Sequence, residues 1–379
     1  MVKIRFNSIP IEIDESHPVG RLIFKELSLL PITDDEPKIR FTFTNSEINP
    51  KDKGVYIANN PGIIKSLFIC DDSVYVKVGR SLGKDFYDLL VKKEDGGSFE
   101  VLISIKYKPT NFLLDFANKF LSWDYSSIYG QCAYSIMNII EVLIALLLNE
   151  ERMLLHSSSI VDKNGNATLF VGSSGAGKTS ICIGLVNEGK GLFLSEDMSL
   201  IGRDGIVTLN PRYLRVYPYV TEYNKNLYKK IMRNKSLLDR LHWHVMGTIR
   251  GKRQVRRLVP PNYVLGDDKI GEKGRIKNIV YLQRTSDKNF KLLSADQSTL
   301  IYKCVNNTFI DFGYYLTTVR LINSTYFNSI FPNVEKIIER SKNIYREAFA
   351  HADCYWLFIP IEATSQQITT FITDNLLEG

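Results

Sequence analysis

Cysteine is scarce and scattered in this chain of 379 residues: Cys70, Cys132, Cys182, Cys304 and Cys354 are odd in number and include no Cys-x-x-Cys pair. That pattern argues against a thiolate zinc site and a disulfide framework, and leaves buried free thiols in a reducing compartment as the simplest reading. Charge of one sign is not in strong excess either. A net +7 is compatible with an anionic ligand such as ATP or with an acidic peptide, and does not require nucleic acid. The N-terminus, Met1-Val2-Lys3-Ile4-Arg5-Phe6, lacks the apolar run of a secretory signal and alternates like a strand. The longest apolar stretch, Ile136 to Leu148, is interrupted by Asn138 and Glu141 and is read as too short to cross a bilayer. No internal repeat or low-complexity segment occurs, so a cytoplasmic protein without a membrane partner is expected.

What is present is the composition of an ordinary folded protein, with 44% hydrophobic and 11% aromatic residues, in a length that suits two domains. Residues 1–125 read as a β-rich module, possessing the substrate- or peptide-binding role of an accessory domain. Period-two segments run over Lys3–Phe6, Ile9–Ile13, Ile39–Thr44, Val74–Val78 and Phe99–Tyr107, with turn-formers at Asn59-Asn60-Pro61-Gly62 and Asp95-Gly96-Gly97-Ser98. His17, beside Pro18, is read as a surface turn residue. Residues 126–379 form the second domain. A strongly apolar helix from Cys132 to Leu148 is expected to pack on the sheet that follows it.

The most informative stretch is Gly172-Ser173-Ser174-Gly175-Ala176-Gly177-Lys178-Thr179, followed by Ser180. Two glycines spaced by four residues and then Lys-Thr make a phosphate loop: the glycines let successive N–H groups converge on phosphate oxygens, Lys178 reaches the terminal phosphates, and the Thr179 hydroxyl holds magnesium. Ala167–Val171 reads as the strand before it and Ser180–Asn187 as the helix after it, which is the context the motif needs. A tight turn at Asp162–Asn166 makes a hairpin that puts His156 on the neighbouring strand. Leu192-Phe193-Leu194-Ser195-Glu196-Asp197 is an apolar strand ending in two acids, expected at the same sheet edge as the loop. His242 and His244 flank Trp243 on a helix, where a spacing of two puts them on different faces, and His351 has no evident partner. The basic run Ile249–Arg257 and the Gly- and charge-rich Pro260–Lys277 segment read as a solvated stretch and a mobile lid, from which Lys252 or Arg275 could close over phosphates.

Taken together, His156, the phosphate loop and the Leu-Ser-Glu-Asp strand resemble the catalytic domain of the HPr kinase/phosphorylase-like family, over residues 150–202. The resemblance implies an α+β to α/β architecture, a β-rich module followed by a P-loop domain with a mixed sheet, and ATP-dependent phosphorylation of a hydroxyl with ATP and Mg2+ as cofactors. It also implies roles: Gly172 to Ser180 cradle the nucleotide, Thr179 and Asp197 hold the metal, Glu196 is the base, and His156 with Lys178 completes the catalytic set. Two positions depart from the family. Glu196 stands where an Asp is usual, and Ser180 where a Glu follows the hydroxyl residue. HPr kinase-like proteins also act as peptide-tailoring enzymes, and an acceptor on a peptide or protein, or alternatively a small-molecule alcohol, is expected here. A homo-oligomer is left open. Two other readings stand beside the kinase: an ATP-binding switch or scaffold without phosphotransfer, and a nucleic-acid-acting ATPase that rests on the basic run alone.

Overall fold

The computed structural model describes residues 1–6, 9–49, 55–58, 64–78, 87–107, 112–147, 151–222, 225–326 and 328–377. The expected turn at Asn59–Gly62 lies outside them. The described chain is mixed α/β and divides into two units, Met1–Ser122 with Ser126–Asn149 and Phe312–Ile337, and Trp123–Tyr125 with Glu150–Asp311 and Ile338–Gly379. That division differs from the single boundary expected at residues 125/126. Two later segments return to the first unit, which local patterning along the chain cannot indicate.

The first unit holds an eight-stranded sheet. Its strands are β1 (Val2–Phe6), β2 (Ile9–Ile13), β3 (Ile39–Thr44), β4 (Val55–Ala58), β5 (Ile64–Ile69), β6 (Ser73–Val78), β7 (Tyr87–Lys93) and β8 (Phe99–Ile105). Their order is β1-β2-β3-β8-β7-β6-β5-β4. Period-two alternation sets which face is buried, with Ile39, Phe41 and Phe43 on β3 and Phe99, Val101, Ile103 and Ile105 on β8 all inside. The helix Pro18–Glu26 crosses from β2 to β3, which run parallel. His17 is its N-cap, buried, with Nδ1 accepting the Val19 N–H at 3.2 Å. It is a capping residue, not the expected surface turn. The apolar helix Ile128–Leu147 also belongs to this unit, where Ile139, Val142, Leu143 and Leu146 line a small cavity with Val76, Leu89 and Val91. It therefore packs on the sheet that precedes it, within its own unit, where the sheet that follows was expected. At 20 residues it is longer than the run read from sequence, and long and apolar enough to span a bilayer, but 67% of that window is buried within the fold, as in a core helix.

The second unit is organised by β9 (Arg152–Leu155), β10 (Ser157–Val161), β11 (Asn166–Val171), β12 (Leu192–Ser195), β13 (Ser199–Gly202), β14 (Ile206–Thr208), a separate ribbon β15 (Leu214–Val216) with β16 (Arg257–Val259), then β17 (Lys273–Thr285), β18 (Lys291–Ser294) and β19 (Asp353–Pro360). The main sheet runs β12-β10-β11-β17-β14-β13-β9, with β19 added to β17 and β18 to β19. Strands β11, β17 and β19 are parallel, and β12 points the same way because both it and β11 run antiparallel to β10. Four strands thus deliver their carboxyl ends to one rim, where ligands of open α/β sheets bind.

The Pro260–Lys277 segment is not a lid. Gly271 N bonds Phe193 O at 2.8 Å, Leu209 N bonds Glu272 O at 2.8 Å, and Lys273 already belongs to β17. Arg275 lies opposite Asn166, at the start of β11, with Nη1 on Asp204 O at 3.0 Å. It sits at the end of the sheet remote from the phosphate loop, so it does not close over phosphates. Lys252 lies in an exposed turn.

Candidate functional site

The loop leaves β11 at Val171 and ends on the helix Lys178–Asn187. Gly172 has φ +155, and a Cβ there would come 2.8 Å from the Leu282 carbonyl oxygen of β17, so the loop can lie against its neighbouring strand only with glycine. Gly177 is the helix N-cap with φ +112, the left-handed region that glycine tolerates. The Lys178 side chain folds back over the loop, its ammonium donating to Gly172 O at 2.6 Å and Ser173 O at 3.3 Å. Burial lowers its pKa to about 8, against the pull of Asp197 and Glu196. The Gly172 carbonyl also accepts from the buried Asn307 amide at 3.1 Å.

Both acids that end β12 stand on this rim. Thr179 Oγ1 donates to Glu196 Oε1 at 2.5 Å, while Glu196 Oε2 is buried and has no hydrogen-bond partner among the described residues. Burial, then the Asp197 charge beside it, raises the Glu196 pKa to about 7. Asp197 has φ +72, an uncommon backbone for a residue with a side chain, and one that Asp tolerates better than most. Its carboxylate is gripped by Arg215 from β15, Nη1 to Oδ1 at 3.2 Å and Nη2 to Oδ2 at 2.5 Å. Burial works to raise its pKa but is outweighed by Arg215, followed by His156, Arg212 and Lys178, so the net shift is downward. The two neighbouring carboxylates are thus driven apart, Glu196 toward its neutral form and Asp197 toward its ionised one.

His156 sits at the break between β9 and β10 and not within one continuous strand. Its Nε2 is 3.8 Å from Asp197 Oδ1, the Asp311 carboxylate abuts Nδ1, and its backbone N–H donates to Thr308 Oγ1 at 3.0 Å. Burial, then the Lys178 ammonium, lowers the imidazole pKa to about 4, with Asp197 opposing. Ser180 is buried behind the loop and hydrogen-bonded to Tyr219, whose own hydroxyl pKa is raised chiefly by burial. Beneath the rim, Ser157, Ser159, Ser195 and Ser199 form a buried hydroxyl network with contacts of 2.5–3.3 Å that joins β10, β12 and β13. It fixes the strand carrying the two acids.

The structure therefore brings together Lys178, Thr179, Glu196, Asp197 and His156. It pairs Thr179 with Glu196, whereas the metal pair expected from sequence was Thr179 with Asp197. Residue-by-residue reading missed Arg215 as the partner of Asp197, and missed Arg284, at the carboxyl end of β17, whose Nη2 would lie 3.4 Å from a Cβ on Gly177. Arg284 donates to Pro360 O and Ala363 O at 2.9 and 3.2 Å, and its pKa is lowered by burial and by neighbouring Arg253. The sequence signal was available, since Arg284 follows the apolar Ile279–Leu282 run as Glu196 follows its own. His242 is buried on Arg257, Nδ1 to Nη2 at 3.1 Å, and His244 meets the Tyr228 hydroxyl at 2.9 Å, so neither joins the site.

No family model matches the chain, and no curated protein matches it. Among solved structures, it is similar to the Hpr(Ser) kinase/phosphatase from Coxiella burnetii over 60% of this chain and 97% of that one, at 8% identity and a TM-score of 0.28. A likeness that remote carries no argument about what this chain does.

Proposed function

We propose that the second unit is an ATP-dependent phosphotransferase that moves the γ-phosphoryl group to a hydroxyl, on a Ser or Thr of a peptide or protein. The observation that carries this reading is the convergence on one rim of a phosphate loop with its lysine, a metal-competent hydroxyl and two adjacent carboxylates. A nucleotide-binding switch needs the first two of these. The paired carboxylates are the addition that phosphoryl transfer to an alcohol uses.

The donor set fits a hard divalent cation, because Thr179 Oγ1 and the unpartnered, buried Glu196 Oε2 are both oxygens on one side of the loop. In this reading Thr179 and Glu196, the latter ionised, would hold Mg2+, which would supply positive charge against the phosphates. Lys178 turns from its own loop carbonyls toward those phosphates, and Arg284 adds a second cation beside Gly177. Asp197, ionised and aligned by Arg215, accepts the hydroxyl proton as the acceptor oxygen bonds to phosphorus and the bond to the ADP oxygen breaks. His156 positions Asp197. This reverses the carboxylate roles implied by resemblance, for the reason that the metal-side hydroxyl contacts Glu196.

The test is transfer of label from γ-labelled ATP with magnesium to a panel of peptides, including any encoded beside the gene. Label appearing on Ser or Thr, lost in Asp197→Asn with nucleotide affinity kept, supports the assignment. Tight binding of nucleotide with neither transfer nor hydrolysis, unchanged by Asp197→Asn, contradicts it.

A further inference from the structure

At the opposite end of the loop helix from the phosphates lies an open groove of about 850 Å³. Asn187, the last residue of that helix, lines it together with residues of two short helices, Lys225–Met232 and Leu237–Ile249. The helix rise alone separates this groove from the loop by roughly 14 Å, so it is distinct from the phosphate site. Its ionisable lining is of one sign. Lys229, Lys230, Arg233 and Arg240 all face it and, among the described residues, no carboxylate does. Lys230 and Arg240 spend hydrogen bonds on backbone carbonyls, Val264 O at 2.9 Å and Met232 O at 3.0 Å, which ties the walls together without neutralising charge. Lys229 and Arg233 are exposed and make no ion pair among the described residues. On the helix that supplies Arg240, Leu237 and Leu241 are one turn apart and stand 81% and 51% exposed.

We infer that this groove docks an acidic peptide segment with interspersed apolar side chains, belonging to the molecule that carries the acceptor hydroxyl. Charge complementarity selects the occupant: glutamates or aspartates meet four cations that make no ion pair among the described residues, while apolar residues cover Leu237 and Leu241 on the helix that supplies Arg240. Holding the acceptor at a second place raises its effective concentration at the rim, so a weakly recognised hydroxyl is phosphorylated in preference to free serine. The inference rests on the phosphotransferase reading for its purpose but not for its measurement.

The experiment is fluorescence anisotropy with the full chain and no nucleotide, using a labelled peptide of mixed Glu and Leu and a matching peptide of Lys and Leu. The Glu/Leu peptide is expected to bind and the Lys/Leu peptide not. The double variant Lys229→Glu, Arg233→Glu changes two exposed residues, and is expected to weaken binding of the Glu/Leu peptide by about tenfold or more while MgATP affinity stays at the wild-type value. Equal affinity of wild type and variant for that peptide overturns the inference. So does tighter, equally charge-sensitive binding of a poly(U) RNA oligomer, which would make the groove a nucleic-acid surface. If the Glu/Leu peptide binds as expected while no acceptor is ever phosphorylated, docking stands and the phosphotransferase reading falls.

Discussion

Replacing Glu196 by Gln separates the charge of this carboxylate from its shape. Free in the unfolded chain the group titrates near 4.5, and in the folded protein near 7. Between those values the folded state holds a proton that the unfolded state has released, so stability falls as pH rises. The favourable contribution is complete below 4.5 and is lost as pH passes through 7. At 1.36 kcal/mol for each tenfold change, the full swing is about 3 kcal/mol. Gln keeps an oxygen for the Thr179 hydroxyl and never ionises, at a cost of about 1 kcal/mol for the weaker hydrogen bond at any pH. In urea titrations of cation-free protein, followed by the fluorescence of Trp123, Trp243 and Trp356, Glu196→Gln is therefore slightly less stable than wild type near about pH 5 and more stable by about 2 kcal/mol near about pH 8.5. A wild-type-minus-variant difference that stays constant across that range refutes the reasoning, because it means the carboxylate is not desolvated in the fold.

Two further outcomes follow from the same geometry. Arg215→Ala leaves the half-buried Asp197 carboxylate without its bidentate partner, and is expected to cost about 2 kcal/mol in denaturant titration, with Arg215→Lys recovering only part. Gly172→Ala forces a Cβ against the Leu282 carbonyl, and is expected to lower thermal stability and to weaken nucleotide binding together, whereas Gly165→Ala in the distant hairpin turn affects stability alone.

The placement of the rim residues was legible in sequence because each part is local: a glycine pattern that bends the chain, a lysine and threonine fixed to it, and an apolar strand that must end where its two acids begin. Direction along the strand then decides the edge, and Thr179 against Glu196 is the result. The helix Pro18–Glu26 was also written locally, with His17 as cap and Pro18 at its first turn, but histidine is not the usual capping residue and the signal reads as a turn. The segment before Arg275 carries Gly and charge as a loop does, yet sheet pairing to Phe193 and Asn166 captures it. Arg215 with Asp197, Thr308 with His156, and the return of Phe312–Ile337 to the first unit depend on contacts between residues far apart in the chain, which no local pattern encodes.

The central claim is that the Lys178 rim receives the phosphates of MgATP. Calorimetric titration of wild type and Lys178→Ala with ATP, in the presence of magnesium, tests it most directly. Saturable binding to wild type that weakens at least about a hundredfold in the variant, a loss of roughly 2.7 kcal/mol, is the predicted result. Equal binding by both proteins, or none by wild type, contradicts it.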